Sequence, residues 1–261
     1  MGEPDRPADV PTDGGPADGE PTDGEQRFFT PGQIGTPWVE PDPDSLSPAQ
    51  QQMRRLAASI RLITERSLST GASVAQLAEA ADQLAAVAEI FERLEPGKGY
   101  EGYAEAATAG FEPGGLFERS PVMGQANPLA PPIKVVEVDG HIEAHGTFGI
   151  AYEGPPGNVH GGYVAAAFDE VLGATQSLGG QPGFTGTLTI RYRSPTPLHT
   201  PLRFVGEVTS VEGRKTFTAA QLFAGETLCA EAEGVFIAID PTKYQVLIAA
   251  REERFGKLPG L

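Results

Sequence analysis

One acidic residue stands inside an otherwise apolar run and follows a pair of glycines. Asp169 lies within residues 164–174, where alanine, valine, leucine and phenylalanine predominate. A carboxylate in such surroundings is costly unless it is paired, hydrogen-bonded or facing a cavity. Asp169 is therefore either a structural residue or, in the interpretation we favour, a nucleophile or general base. Its neighbour Glu170 is rotated by about 100° around a helix, and periodicity alone does not choose between the two carboxylates.

The residues that lead into this run could hold a developing negative charge. They read Asn158-Val159-His160-Gly161-Gly162. Unpaired N–H groups at the start of a helix, aided by the helix dipole, can bind an oxyanion, and glycines let a substrate carbonyl approach the backbone. We expect the donor to be Gly162, or alternatively Gly161. Tight packing at a strand-to-helix turn is the other explanation for the two glycines, and fastening this loop is the role we favour for His160 over a part in the chemistry.

The spacing between the glycines and the carboxylate restricts how they can cooperate. Gly162 and Asp169 are seven residues apart, so they share a helix face but lie roughly 10 Å apart along its axis. Both cannot touch one carbonyl group. If both act, one chain supplies the N–H and another the carboxylate, which predicts an active site at a dimer interface. An active, strictly monomeric protein would contradict this prediction, and so would an Asp169 that faces bulk water or is held in a salt bridge far from any cleft.

The elements around Asp169 predict a sheet that wraps one helix. Residues 160–178 are apolar on nearly every side, as is typical of a buried helix. From residue 133 onward, the pattern otherwise has the period of two that strands show. The short turns between the predicted strands favour an antiparallel sheet. We predict an α+β fold of the hotdog type, with strands at residues 133–138, 141–152, 184–193, 202–211, 216–223 and 228–239.

The rest of the chain divides by composition. Residues 1–45 form an acidic, Pro- and Gly-rich tail that we expect to be disordered. Residues 46–98 predict an antiparallel helical hairpin that begins at Ser47-Pro48, with an apolar stripe that covers the domain or a subunit interface, or alternatively closes the site as a lid. Residues 99–132 are expected to be ordered but irregular, residues 133–241 to form the main domain, and residues 242–261 to form a tail.

Charge and composition exclude several classes of function. The chain of 261 residues carries a formal net charge of −16, which disfavours nucleic acid as a partner. A single cysteine, Cys229, permits no intrachain disulfide and reads as a core residue, and with four histidines it gives no metal-ligand spacing. There is no apolar run of the roughly 18 residues that span a bilayer, and no secretory signal. We expect a cytoplasmic protein without a metal.

The motif around Asp169 resembles a known family. His160-Gly161-Gly162 with the spaced Asp169 is similar to the HGG-type hotdog acyl-CoA thioesterases, the PaaI/THEM4-like family. The resemblance covers about residues 110–240 and includes five further features. These are Ser120-Pro121, the segment Asn127 to Pro132, Tyr152-Glu153-Gly154, Tyr192 with Pro195 and Pro197, and the turn Val211-Glu212-Gly213-Arg214-Lys215.

The resemblance implies hydrolysis of acyl-CoA thioesters by a homodimer or a dimer of dimers, without a cofactor. The helix aspartate would be nucleophile or general base, a glycine N–H the oxyanion donor, and Thr185, or less favourably Thr187, would place water. Arg214 and Lys215 are candidates for the phosphates of CoA, although a solvated turn is the explanation we favour for them, and Asn158 is a candidate substrate contact. A hotdog enoyl-thioester hydratase or dehydratase and a non-catalytic acyl-CoA sensor or scaffold are the alternatives.

Overall fold

A computed structural model describes residues 43–94, 117–180 and 183–238, together with Val246, Ala249, Ala250 and Glu253. Most of the predicted acidic tail, residues 99–116 of the irregular segment and nearly all of the C-terminal tail lie outside the described residues. In the part that is described, no helix combines the length and the hydropathy needed to cross a bilayer.

Three helices and six strands make up the described fold. The helices are α1 (Pro48–Leu68), α2 (Val74–Glu92) and α3 (Gly161–Ser177). The strands are β1 (Lys134–Val138), β2 (His141–Gly146), β3 (Gly183–Tyr192), β4 (Leu202–Glu212), β5 (Lys215–Ala224) and β6 (Thr227–Ala238), and short 3-10 turns lie at Pro43–Ser45 and Ile150–Tyr152.

The N-terminal helices begin where their capping residues predict. Ser47 precedes α1 and Ser73 precedes α2, and each forms a capping box with the glutamine three residues later. Each serine side chain accepts the N–H of that glutamine, and the glutamine side chain accepts the serine N–H. Two N–H groups that the helix leaves without partners are thereby satisfied at each start.

The two N-terminal helices differ in how they meet the domain. On α1, Ala57 is buried, Arg54 pairs with Glu118, and Arg61 donates to the carbonyl oxygen of Asn127 at 2.7 Å. On α2, every residue is exposed. The predicted helices are present, but within the described residues the apolar stripe of α2 is not buried against anything.

The sheet is antiparallel, with strand order β1-β2-β4-β5-β6-β3. The hotdog fold predicted from the sequence is confirmed, since α3 packs on one face of this sheet and the strands are close to the predicted ranges. One predicted strand was too long: residues 141–152 form a strand only as far as Gly146, and the chain then turns through the 3-10 segment. That turn lets the Tyr152 hydroxyl donate to the Leu129 carbonyl oxygen at 2.8 Å.

The core lies between α3 and the sheet. The rings of Phe168 on α3 and Phe204 on β4 pack edge to face, with centroids 5.4 Å apart. Glycines on the strands let the helix approach closely: a Cβ on Gly234 would lie 3.2 Å from Leu172 Cδ1 on α3, and a Cβ on Gly206 would overlap the Thr175 hydroxyl. Cys229 is fully buried, which confirms its prediction as a core residue.

Candidate active site

Two predicted residues meet at the middle of α3. The Thr185 hydroxyl on β3 donates a hydrogen bond to Oδ1 of Asp169 at 2.8 Å. Because this bond occupies one carboxylate oxygen and fixes the orientation of the group, the second oxygen remains available for another partner. Thr185 and Asp169 thus form a two-residue unit in which a threonine hydroxyl orients a carboxylate.

A bulge in β3 decides which threonine reaches Asp169. Simple alternation would place Thr185 and Thr187 on the same face of the sheet. The register shifts between them at Gly186, so that Thr185 lies opposite Phe236 while Thr187 lies opposite Val235. Phe236 and Val235 are consecutive on β6 and face opposite sides, so Thr187 points away from α3. The second-choice threonine therefore lies on the far face of the sheet.

Asp169 is exposed in the single chain, so the prediction that it faces a cleft depends on a second chain that covers it. Helix α3 is also covered less completely than its apolar composition predicted. One stripe of the helix is open, and it carries the exposed Gly162, Tyr163 and Asp169. The opposite side of α3 is buried against the sheet. The open stripe continues onto β3, an edge strand of the sheet, where Tyr192 on the α3 side is 56% exposed. Asp169 therefore lies on a partly apolar surface rather than on an ordinary polar one.

The start of α3 has one N–H group that is taken and one that is available. Gly162 N–H donates to Nδ1 of His160 at 3.0 Å, so this ring nitrogen carries a lone pair and the neutral ring is protonated at Nε2. His160 is thus the N-cap of the helix, and its own N–H donates to the Tyr152 carbonyl oxygen at 2.8 Å. Among the described residues, no acceptor receives the Gly161 N–H. The Gly162 N–H is therefore engaged within the chain, whereas the Gly161 N–H has no acceptor among the described residues.

Aromatic side chains hold this helix start in place. The Tyr192 hydroxyl donates to the Gly161 carbonyl oxygen at 2.8 Å. Tyr152 and Tyr163 pack edge to face at 5.0 Å. Burial raises the pKa of Tyr152 to about 12, so its hydroxyl stays protonated and keeps donating to Leu129. The loop, the first turn of α3 and the end of β3 are therefore tied together.

Glu170 turns away from Asp169 and contributes to packing. Its Oε1 accepts a hydrogen bond from the fully buried Ser120 hydroxyl at 2.9 Å, and that hydroxyl oxygen accepts the N–H groups of Val122 and Met123. Burial raises the pKa of the Glu170 carboxyl, the Ser120 hydrogen bond partly opposes this, and the Asp169 charge adds to it. The two carboxylates thus differ in their partners, since Glu170 binds a buried serine and Asp169 binds the exposed Thr185. Sequence reasoning missed this use of Ser120, because the two residues are fifty positions apart.

The Asp169 stripe of α3 continues toward the end of the helix. Gly173 is one turn further on, and an added Cβ there would meet only the Phe236 ring, at 4.0 Å. Gln176 follows at seven residues from Asp169, which places it on the same face roughly 10 Å away. Its side chain is 3% exposed, and Oε1 has no hydrogen-bond partner. Sequence patterns gave no signal for this buried amide.

The remaining candidates lie further from Asp169. The Asn158 side chain donates to the Pro156 carbonyl oxygen at 2.9 Å and so fastens its own loop. Arg214 donates to the Ala238 carbonyl oxygen at 2.9 Å. Lys215 shares a row across the sheet with Ile237 and Phe184, which puts it about 10 Å from β3. In the ranges that the structure covers, no group of three or more His, Cys, Asp or Glu side chains could hold a metal ion.

Comparison with known proteins finds relatives for the segment that carries α3 and most of the sheet. The family model of the thioesterase superfamily matches residues 156–231, which include α3 and most of the sheet. Acyl-coenzyme A thioesterase THEM4 of Xenopus laevis is 38% identical over 93 residues, which are 34% of this chain and 41% of that protein. The human acyl-coenzyme A thioesterase THEM5 is 34% identical over 89 residues, 33% of this chain and 36% of its own length. The chain thus spans about two fifths of these curated relatives.

A solved structure extends the similarity beyond the motif. The crystal structure of RHA08564, a thioesterase superfamily protein, is 33% identical with a TM-score of 0.64. The match covers 71% of this chain and 94% of that one. With one relative matched over nearly its full length and the same domain matched around α3, the chain belongs to the thioesterase superfamily.

Proposed function

We propose that this protein hydrolyses acyl-CoA thioesters to a free acid and CoA, with Asp169 as the central carboxylate. The observation that carries the proposal is the Thr185–Asp169 hydrogen bond on the open stripe of α3. It leaves one oriented carboxylate oxygen beside a helix start that has a spare N–H. The names of the relatives that match this segment support thioester hydrolysis as the reaction.

In the proposed step, the free oxygen of Asp169 takes a proton from a water molecule. The water oxygen attacks the thioester carbonyl carbon, the C–S bond breaks, and CoA leaves as a thiol after taking up the proton. Direct attack by Asp169 is the other route, in which a mixed anhydride forms first and water then cleaves it. A burst of thiol equal to the number of sites would indicate the anhydride route. Neither route requires a metal or a cofactor besides the substrate.

The Gly161 N–H is the proposed oxyanion donor. It stands at the first position of α3, where the helix dipole favours negative charge. The Gly162 N–H would have to give up its bond to His160 to take this role. Removing one such donor typically slows an enzyme by a factor of about 100 to 1,000.

We propose that the site is shared by two chains. Gly161 and Asp169 are eight residues apart, so roughly 12 Å of helix separates them and one carbonyl group cannot touch both. The open stripe of α3 adjoins β3, whose outer edge pairs with no strand of the described residues. Pairing of this edge with a second copy would cover the exposed aromatic side chains and bring the Gly161 of one chain toward the Asp169 of the other.

The phosphates of CoA require basic groups near the mouth of the site. Arg214 lies in the β4–β5 turn and Lys215 begins β5, two strands from β3 at the same end of the sheet as Thr185, with Lys215 on the face away from α3. This position supports them as phosphate contacts. By contrast, Arg191 and Arg193 are engaged by Glu233 and Glu231.

The hydratase alternative receives less support. A hydratase of this fold would pair a histidine with an acid, whereas the partner of Asp169 is Thr185 and the Nδ1 of His160 is held by the helix. The sensor or scaffold alternative gives no reason for a threonine that orients a carboxylate. Release of free thiol, loss of enoyl absorbance and binding without turnover distinguish the three functions in one set of assays.

The oxyanion assignment has a matched pair of variants. Gly161→Pro removes the N–H, and proline is well suited to the first position of a helix after an extended residue such as His160. Gly161→Ala keeps the N–H and adds a Cβ that would lie 3.3 Å from the Tyr192 hydroxyl oxygen. We expect thiol release to fall about 100-fold or more in the proline variant and only slightly in the alanine variant. Equal losses in both would reject the Gly161 N–H as donor.

Mixing two inactive variants tests the shared site. Chains with Asp169→Asn and chains with Gly161→Pro are each expected to be inactive alone. If each site is built from two chains, a mixed dimer has one intact site and one site with both defects. Half of the dimers in an equal mixture are mixed, so about a quarter of wild-type activity should return. If both groups came from one chain, every site would carry a defect and no activity would return.

A further inference from the structure

Helix α2 presents apolar side chains to solvent along its whole length. None of its residues is buried, and the exposed fractions of Leu77, Leu84 and Phe91 are 49%, 44% and 47%. On the neighbouring α1, in contrast, Ala57 is buried and Arg54 is paired with Glu118. An apolar helix face that is covered by none of the described residues indicates a surface for a partner.

Six apolar residues of α2 recur at intervals of three, four, three, four and three residues, which is the spacing of a coiled-coil seam. Val87 and Ile90 are further exposed apolar residues that lie beside this line. From Leu77 onward, large side chains alternate with small ones along it. We define the α2 seam as Val74, Leu77, Ala81, Leu84, Ala88 and Phe91.

The α2 seam complements itself when two copies run antiparallel. With a twofold axis between residues 82 and 83, Leu77 faces Ala88 of the second copy and Leu84 faces Ala81, so each large side chain meets a small one. At the outer positions, Val74 faces Phe91 of the second copy. A parallel pair would instead set Ala81 against Ala81 and Leu84 against Leu84, which alternates voids with crowded layers.

The charges of α2 permit this contact. Glu79, Asp82 and Glu89 lie at heptad positions that point away from the α2 seam, and alanines at positions 78, 80 and 85 flank it. Two acidic copies can therefore meet without like charges facing each other across the seam. We propose that α2 is a self-association helix, which packs antiparallel against α2 of a second copy of this chain along the α2 seam.

Engineered cysteines test both the contact and its direction. In a chain with Leu77→Cys and Ala88→Cys, the two new thiols face each other across the proposed pair, and mild oxidation should give covalent dimers in high yield. The two positions are eleven residues apart, roughly 16 Å along one helix, so they cannot bond within a chain. Leu77→Cys alone should remain monomeric on a denaturing gel, and the natural Cys229 is buried. Absence of dimers from the double variant, or equal yield from the single one, would overturn the proposal.

A second pair of variants avoids new thiols. Leu84→Glu would bury two carboxylates near the twofold axis and should weaken the association by a factor of about 100 in sedimentation. Ala86→Glu changes the opposite side of the same helix and should leave the assembly unchanged. Because all these positions are exposed in one chain, the domain should fold in each variant. A Leu84→Glu protein that assembles like the wild type would reject the α2 seam as an interface.

Discussion

Replacing Asp169 by asparagine separates chemistry from structure at this site. The change keeps the size of the side chain and an oxygen that can accept the Thr185 hydroxyl, which donates at 2.8 Å in the wild type. It removes only the charge and the basicity. If Asp169 is a general base, turnover should fall by a factor of about 100 to 10,000, which corresponds to roughly 2.7–5.5 kcal/mol of transition-state stabilisation. The free energy of unfolding should change little, because Asp169 is exposed.

The threonine supplies a graded comparison. Thr185→Val removes a hydrogen bond to a charged but exposed group, for which about 1–2 kcal/mol is reasonable, so turnover should fall about 5- to 30-fold. Since Thr185 acts through Asp169, the double variant should be no slower than Asp169→Asn alone. Thr187→Val makes the same change on the other face of the sheet and should leave turnover unaffected.

The assay is thiol release from short, medium, long and aromatic acyl-CoAs, because the acyl group that this protein prefers is unknown. All four variants are compared on the best substrate, and their unfolding is followed in parallel. An Asp169→Asn protein that keeps more than about a tenth of wild-type turnover would refute the central role of the carboxylate. Equal effects of Thr185→Val and Thr187→Val would refute the orientation imposed by the bulge.

Three further predictions concern stability and substrate binding. Burial raises the pKa of Glu170, so folding favours the neutral carboxyl. The stability that this preference contributes is complete below the pKa of the unfolded chain and is lost as pH rises through the pKa of the folded protein. Glu170→Gln should therefore raise the free energy of unfolding near neutral pH, and the gain should shrink toward pH 4 in denaturant titrations. Gln176→Leu replaces an amide whose Oε1 is buried without a partner, so the free energy of unfolding should stay the same or rise by about 1 kcal/mol, and a clear loss would indicate a hidden partner. Arg214→Ala and Lys215→Ala should raise KM for acyl-CoA up to about tenfold with kcat nearly constant, and the effect should diminish at high salt, whereas an unchanged KM would leave the turn as a solvated one.

The local elements of this protein could be predicted from its sequence. Alternating strand residues, the turns at Gly213 and Gly225 and the serine caps of α1 and α2 all depend on neighbours within a few positions. The two turn glycines indeed adopt positive φ values, both of 57°. The fold class followed from one apolar helix inserted among short-turn strands. Such features are encoded locally and survive packing.

The geometry of the candidate site was only partly predictable. The sequence picked out Asp169, the glycine pair and the Thr185 strand. It ranked Gly162 above Gly161, because the sequence does not indicate that the His160 ring bends back to accept the Gly162 N–H. The apolar composition of α3 predicted that the helix is covered on nearly every side. Composition alone does not show which face of the helix packs on the sheet of the same chain and which face is open.

The sequence by itself determined which residues could do chemistry and which elements carry them, because residue type and periodicity act over short distances. Only the tertiary structure decided which of them meet. The bulge at Gly186 selects Thr185 over Thr187, Ser120 binds Glu170 rather than Asp169, and the position of β3 at the edge of the sheet leaves Asp169 open. Each of these outcomes depends on contacts between distant segments, and the packing of the whole domain sets their register.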